Sequence, residues 1–117
     1  MPNIATFASP TNAESATSIG ALITRKSTTI TIIRAGAAIG AQVVRLETLG
    51  SQRAVTRADG TTFMCDAHLL GYKNHPTVTD TSVKVGDRFR AGGVDYEVVI
   101  VLPGHVDNVQ AYLRVRA

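Results

Sequence analysis

The stretch DRFRAGGVDYEVVIVL (87–102) decides the fold class of this chain. β-branched and aromatic residues dominate it, and Gly92-Gly93 divides it into two segments, as a tight turn between two strands does. After Pro103-Gly104, the segment NVQAYLRVR (108–116) shows the same alternation of apolar and polar residues. The three segments predict an antiparallel meander. The apolar run VVIVL (98–102) favours a strand that is buried from two sides.

Segments nearer the N-terminus also alternate with period two, which is typical of strands with one buried and one solvated face. The run AGAAIGA (35–41) between the first two of them predicts an extended loop, because its residues are small. Ala58, Asp59 and Gly60 predict a hairpin turn. The predicted strands are TTITIIR (28–34), AQVVRLET (41–48), RAVTR (53–57) and TTFMC (61–65).

These patterns predict an all-β fold, a small antiparallel β-barrel or sandwich over residues 27–117. A long loop, residues 66–87, joins the fourth strand to the meander. Residues 1–26 form an N-terminal arm that is rich in Ala, Ser and Thr. Two alternatives stay open for the arm. It is a flexible terminus ordered by a partner, or it holds a short helix with one apolar face made of Ala16, Ile19, Leu22 and Ile23.

Length and composition restrict the class of protein. A chain of 117 residues, of which 44% are hydrophobic, is the size of one globular domain. The single cysteine, Cys65, excludes an intramolecular disulfide. The sequence contains neither a signal-like leader nor a run of about 18 apolar residues, so we expect a soluble, unprocessed protein without membrane contact. The net charge of +3 is a mild basic excess.

Catalytic and metal-binding patterns are weak. Cys65, His68 and His75 are zinc-ligand types, but paired ligands at tight spacing are missing. Asp95 and Glu97 would share one face of a strand, which suits solubility as well as acid-base catalysis. No G-x-S-x-G turn and no phosphate-binding loop motif is present. We therefore expect no enzyme and no cofactor or metal.

Arginines alternate with apolar residues on the predicted strands and would project outward in stripes. Such a stripe suits non-specific contact with phosphates. Salt bridges from the same arginines to neighbouring carboxylates are an equally good explanation of the pattern. The few aromatic residues lie mostly at apolar positions, so base-specific recognition is not expected. The candidates for lining a DNA channel are Arg45, Arg53, Arg57, Arg88 and Arg90, with Arg114 and Arg116 in the same basic set.

Several of these elements together resemble one family. They are the first strand TTITIIR, the G-D-R-F element at Gly86 to Phe89, the glycine turn after it, the Y-E-V strand at Tyr96 to Val98, and a last strand that ends the chain. Over residues 28–117 the sequence resembles the head-tail connector or head-closure (stopper, head-completion) proteins of tailed bacteriophages.

The resemblance implies a non-enzymatic β-barrel that forms an oligomeric ring between the portal side of the capsid and the tail, around the DNA channel. It implies portal, adaptor and tail proteins as partners, and a place in the virion neck after assembly in the host cytoplasm. Neighbouring subunits would meet at the two loops. The candidate interface residues are Gly36, Ile39, Gly40, Tyr72, His75 and Pro76.

Other functions remain open at this point. The chain fits another virion protein with a similar barrel, such as a tail terminator or a capsid decoration protein. From a different class, it fits a small nucleic-acid-binding barrel of the OB or SH3-like type. A metal-dependent hydrolase that uses Cys65 and the histidines is the remaining alternative.

Overall fold

The computed structural model describes residues 12–103 and 105–116, and within them one helix precedes six strands. The elements are α1 (Asn12–Arg25), β1 (Ser27–Arg34), β2 (Ala37–Thr56), β3 (Thr62–Tyr72), β4 (Arg88–Ala91), β5 (Val94–Leu102) and β6 (Asn108–Val115).

The six strands close into an antiparallel barrel in the order β1-β2-β3-β6-β5-β4. This order confirms the predicted all-β barrel and selects it over a sandwich. β4, β5 and β6 are neighbours in sequence and in space, which confirms the predicted meander. Closure leaves little open edge at which another sheet would pair, and what remains lies at the short β1–β4 junction.

The interior of the barrel is filled by the alternating apolar residues of all six strands. Ile30 and Ile32 of β1 and Val44 of β2 point inward, as their alternation predicts. A second, smaller cluster forms around Cys65, Val99 and Ile100. The main core contains Ile30, Ile32, Val44, Ala67, Leu69, Phe89, Tyr96, Val98, Ala111 and Leu113.

The prediction that AGAAIGA (35–41) forms an extended loop is wrong. β1 and β2 are joined by a two-residue turn, Ala35-Gly36, and β2 begins at Ala37. Both turn residues have positive φ, 52° and 81°, which matches the tight hairpin turn that suits twisted strands. Ala37, Ala38 and Ala41 are therefore paired strand residues rather than a loop, and with Ile39 and Gly40 they form an exposed hairpin end.

Two other boundaries differ from the sequence prediction. The segments 41–48 and 53–57 belong to one long strand, β2, whose pairing with β3 is interrupted between Thr48 and Arg53. β3 continues to Tyr72, so the long connection covers residues 73–87 instead of 66–87. The turn predicted at 58–60 is confirmed, since Gly60 N donates to Arg57 O at 3.0 Å.

A partly buried ion pair closes the barrel between its first and fourth strands. The register of β1 with β4 contains the single pair Ile33 and Arg88. Beside it, Arg34 Nε donates to Asp87 Oδ1 at 2.9 Å and Arg34 Nη2 donates to Asp87 Oδ2 at 2.8 Å. Asp87 is 1% exposed and also accepts a hydrogen bond from Lys84 N. The hydrogen bond to Asp87 raises the pKa of the Arg34 guanidinium above its ordinary value.

The helix α1 packs on β2 and β3, so residues 12–25 follow the helical alternative for the arm. Residues 1–11 lie outside the described part of the chain. Ile23 is fully buried, whereas Leu22, expected on the same face, is 39% exposed. Arg45 Nη1 donates to Leu22 O at 3.0 Å and so binds a carbonyl at the helix C-terminus.

The packing of α1 predicts unequal effects for its two adjacent large residues. Ile23→Ala should lower the free energy of unfolding by about 2 to 5 kcal/mol, because a fully buried side chain is removed from the contact with the barrel. Leu22→Ala is the matched control and should cost well under half as much. Urea unfolding followed by circular dichroism measures both. Equal effects would show that α1 does not pack as described.

Candidate interaction surfaces

Four arginines form one outer face of the meander, called here the arginine face: Arg88, Arg90, Arg114 and Arg116. The strand register places Arg88 beside Glu97 on β5, and Glu97 beside Arg114 on β6. Arg90 lies beside Asp95. Arg116 N donates to Asp95 O at 2.8 Å, which places Arg116 at the end of this second row. The carboxylates thus lie between arginines in both rows.

The arginine face carries excess positive charge. Four arginines flank two carboxylates, so the net charge of the face is +2. Glu97 is shared by Arg114 at 2.7 Å and Arg116 at 3.5 Å. Arg90 lies 3.8 Å from Asp95, and Arg88 makes no ion pair with any residue in the described part of the chain. Within the arginine face, Arg88 and Arg90 therefore have the most capacity for an external anion.

A groove of about 520 Å³ lies next to this face, over the seam between β1 and β4, and is called the seam groove. Its β1 wall presents Thr29, Thr31 and Ile33. Phe89 and Tyr96 reach it from the barrel core, where they are 4% and 7% exposed. The remaining lining residues are Arg88, Arg90, Asp95 and Arg116.

The other arginines of the predicted stripe have different surroundings. Arg45 Nε donates to Glu47 Oε1 at 2.6 Å, and this hydrogen bond lowers the pKa of the Glu47 carboxyl. Arg57 Nε donates to Val99 O at 2.7 Å, with its guanidinium carbon 4.2 Å from the centre of the Phe63 ring. Arg53 is exposed. The structure therefore brings Arg88 and Arg90 together, and gives Arg45 and Arg57 intramolecular partners.

A second groove, of about 630 Å³, lies between the β1–β2 hairpin and the connection 73–87, and is called the connection groove. Three of its apolar side chains, Ile39, Val43 and Val78, are 37–41% exposed. Gln42 spans it: Gln42 Nε2 donates to Ser82 O at 3.0 Å, and Ser82 N donates to Gln42 Oε1 at 2.6 Å.

The interface residues predicted from sequence lie in and around the connection groove. Ile39 and Tyr72 both line it, although Tyr72 is buried and its ring packs edge-on against His75, with centroids 5.3 Å apart. Pro76 is exposed in the connection. The structure places Gly36 and Gly40 in the exposed β1–β2 hairpin with positive φ of 81° and 105°.

The connection is fixed to the end of β3 by Thr81. Thr81 N donates to Tyr72 O at 2.9 Å, and Tyr72 N donates to Thr81 Oγ1 at 2.8 Å. Gly71 makes this approach possible, because a Cβ at Gly71 would lie 2.6 Å from the Thr81 side chain. Tyr72, Gly71 and Thr81 together fix one wall of the connection groove.

The candidate zinc ligands Cys65, His68 and His75 do not form a cluster. Cys65 is fully buried in the second apolar cluster, and burial raises the pKa of its thiol. His68 Nε2 lies 3.1 Å from Gln110 Oε1, while His75 contacts Tyr72. Within residues 12–103 and 105–116, no three His, Cys, Asp or Glu side chains converge on one point. No helix in the same ranges is long and apolar enough to cross a membrane.

Comparison with known proteins gives no match to a family model or to a curated protein. The function of the chain is therefore inferred from its own residues and surfaces.

Sequence reasoning named Arg88, Arg90, Ile39 and Tyr72 of the two grooves, but it missed the Arg34–Asp87 ion pair and the threonine wall of the seam groove. Arg34 and Asp87 lie 53 positions apart, and neither was a candidate. Asp87 belongs to the G-D-R-F element, which is the one signal that marked this position. The alternation in β1 predicts that Thr29 and Thr31 lie on the solvated face of a strand. It does not predict that they line a groove with two arginines of β4.

Gly71 provides a test of how the connection is held. Gly71→Ala should lower the free energy of unfolding by about 1 to 3 kcal/mol, because the added methyl group overlaps Thr81. Gly50→Ala is the matched control, since a Cβ at Gly50 meets nothing within 4 Å. Thermal unfolding measures both. If the two variants have the same stability, the contact between Gly71 and Thr81 is looser than described.

Proposed function

We propose that this chain is a non-enzymatic structural protein of a tailed-phage neck, a head-tail connector or head-closure subunit. It assembles into a ring that joins the portal side of the capsid to the tail and surrounds the DNA channel. The partners are further copies of the chain, portal or adaptor proteins and tail proteins. The protein resides in the virion and is assembled in the host cytoplasm.

The sequence elements behind the resemblance support this proposal from their places in the barrel. The G-D-R-F element holds Asp87, the carboxylate of the closing ion pair, and Phe89, a core residue. The Y-E-V element places Tyr96 and Val98 in the core and Glu97 on the outer face between Arg88 and Arg114. Both elements therefore build the side of the barrel that carries the arginine face.

The separation of two kinds of surface carries the proposal. The seam groove and the arginine face are basic, while the connection groove exposes Ile39, Val43 and Val78. The two grooves share no lining residue. A ring subunit around DNA needs both surfaces, because apolar contacts join neighbouring subunits and positive charge faces the polyanion.

Closure of the barrel constrains how subunits join. Each strand has a neighbour on both sides, although β1 and β4 share one registered pair, so a neighbouring subunit finds little open sheet edge to extend. Contacts are made instead by side chains of the β1–β2 hairpin and the connection 73–87. A head-to-tail contact of this kind closes into a ring when the rotation between neighbouring subunits is a full turn divided by the number of subunits.

A small nucleic-acid-binding barrel is the second candidate, and the arginine face is the observation that favours it. The two functions differ in how affinity depends on assembly. A dedicated binder holds nucleic acid tightly as a monomer, whereas a ring subunit binds weakly alone and more strongly when its sites are combined.

Assembly should depend on the apolar side chains of the connection groove. Ile39→Ser with Val43→Ser should shift ring formation to higher concentration by at least about tenfold while the barrel stays folded, because both side chains are exposed in the single chain. Val115→Ser is the control, since Val115 is also exposed but lies on β6 beside the arginine face. Light scattering with negative-stain microscopy over a concentration series measures the effect.

Rings of the unaltered chain, alone or with a neighbouring neck protein, support the proposal. A permanent monomer that binds duplex DNA tightly in a salt-dependent manner contradicts it and favours the nucleic-acid-binding barrel.

A further inference from the structure

We propose that the seam groove binds the sugar-phosphate backbone of nucleic acid without regard to base sequence, with Arg88 and Arg90 as its principal contacts. The inference deepens the proposed function and rests on it in one respect, since that function identifies the nucleic acid as the duplex in the channel. It also assigns the side of the barrel that faces that channel.

The charge of the groove is available to a ligand. Arg88 is exposed and makes no ion pair with any residue in the described part of the chain, and Arg90 contacts Asp95 at 3.8 Å with a 68% exposed side chain. Across the groove, Arg116 shares Glu97 with Arg114. Asp95 and Glu97 are the carboxylates of this face, and four arginines outnumber them.

The spacing of the groups suits a repeating anion. Arg88 and Arg90 are two residues apart on β4, so their side chains emerge on one face about 7 Å apart. Thr29 and Thr31 have the same separation on the opposite wall of the groove. Guanidinium groups and hydroxyls are the side-chain donors that contact phosphate oxygens in protein–DNA complexes.

The lining favours nucleic acid over an acidic protein. Of the described residues that line the seam groove, Ile33 is the single exposed apolar one. Protein interfaces depend on a buried apolar or aromatic centre, which the groove does not offer. The Phe89 and Tyr96 rings are committed to the barrel core, so they are not available to stack on bases. Contacts to the backbone alone remain, and these carry no sequence information.

The groove is also held in position. Arg88 directly follows Asp87, whose carboxylate is fixed by Arg34 and by Lys84 N. Val98 N donates to Asp87 O at 2.8 Å, which ties the start of β4 to β5. The backbone under Arg88 therefore loses little further freedom when a phosphate binds.

The test compares two double variants by fluorescence anisotropy with a labelled duplex of about 24 base pairs, in about 25 to 200 mM NaCl. Arg88→Ser with Arg90→Ser removes the two proposed contacts. Arg25→Ser with Lys84→Ser is the matched control, because it removes the same charge from exposed cationic side chains that do not line the groove. The groove variant should reduce the slope of log affinity against log salt by about 1.8, and the control should change it by much less.

Equal losses for the two variants would overturn the inference, since only total charge would then matter. Stronger binding of poly-L-glutamate than of duplex would overturn it in favour of an acidic protein partner. Loss of ring formation by the groove variant would show that the groove is a subunit interface and would also overturn it. In one outcome the unaltered chain binds duplex but never forms rings, and the variant with Arg88→Ser and Arg90→Ser loses that binding. The inference then stands and the ring function fails.

Discussion

The Arg34–Asp87 ion pair is the contact on which the rest of this structure depends. Five of the six strand junctions contain between four and eight registered residue pairs, whereas β1 and β4 share one. A carboxylate that is 1% exposed is costly to bury unless it is paired and hydrogen-bonded. Asp87 meets both conditions through the two-pronged bond from Arg34 and the bond from Lys84 N. The pair therefore closes the barrel where the backbone ladder is weakest.

Both candidate surfaces lie next to that closure. Asp87 precedes β4 and so sets the position of Arg88 and Arg90, while Arg34 ends β1 and precedes the turn of the exposed hairpin. Arg34 also lines the connection groove, and Arg34 Nη2 donates to Ser82 Oγ at 3.2 Å. The Arg34 side chain thus contacts both the residue that precedes β4 and the long connection, while it lines the connection groove. A ring subunit that must present different chemistry to DNA and to its neighbours gains a fixed geometry from this arrangement.

Local patterns of the sequence predicted much of the fold, and residues distant in sequence determined the rest. The predicted strands of β1 and of the meander, and the predicted Asp59-Gly60 turn, are confirmed, because each depends on residues that are neighbours in sequence. The hairpin at Ala35-Gly36 was missed because small residues suit both a loop and an exposed strand. The candidate arginines were found as a class, but strand register decides that Arg88 and Arg90 line a groove while Arg45 pairs with Glu47. Register and closure are properties of the assembled sheet, which no single segment shows.

A double-mutant cycle on Arg34 and Asp87 tests the central claim most directly. Arg34→Met, Asp87→Asn and the double variant would be unfolded in urea beside the unaltered chain. The account predicts that the double variant is about as stable as the worse single variant. The coupling energy, which is the difference between the double variant's loss of stability and the sum of the two single losses, should then exceed the roughly 0.5 kcal/mol within which independent sites add. Additive losses within that limit would show that the barrel closes without the ion pair and would contradict the account.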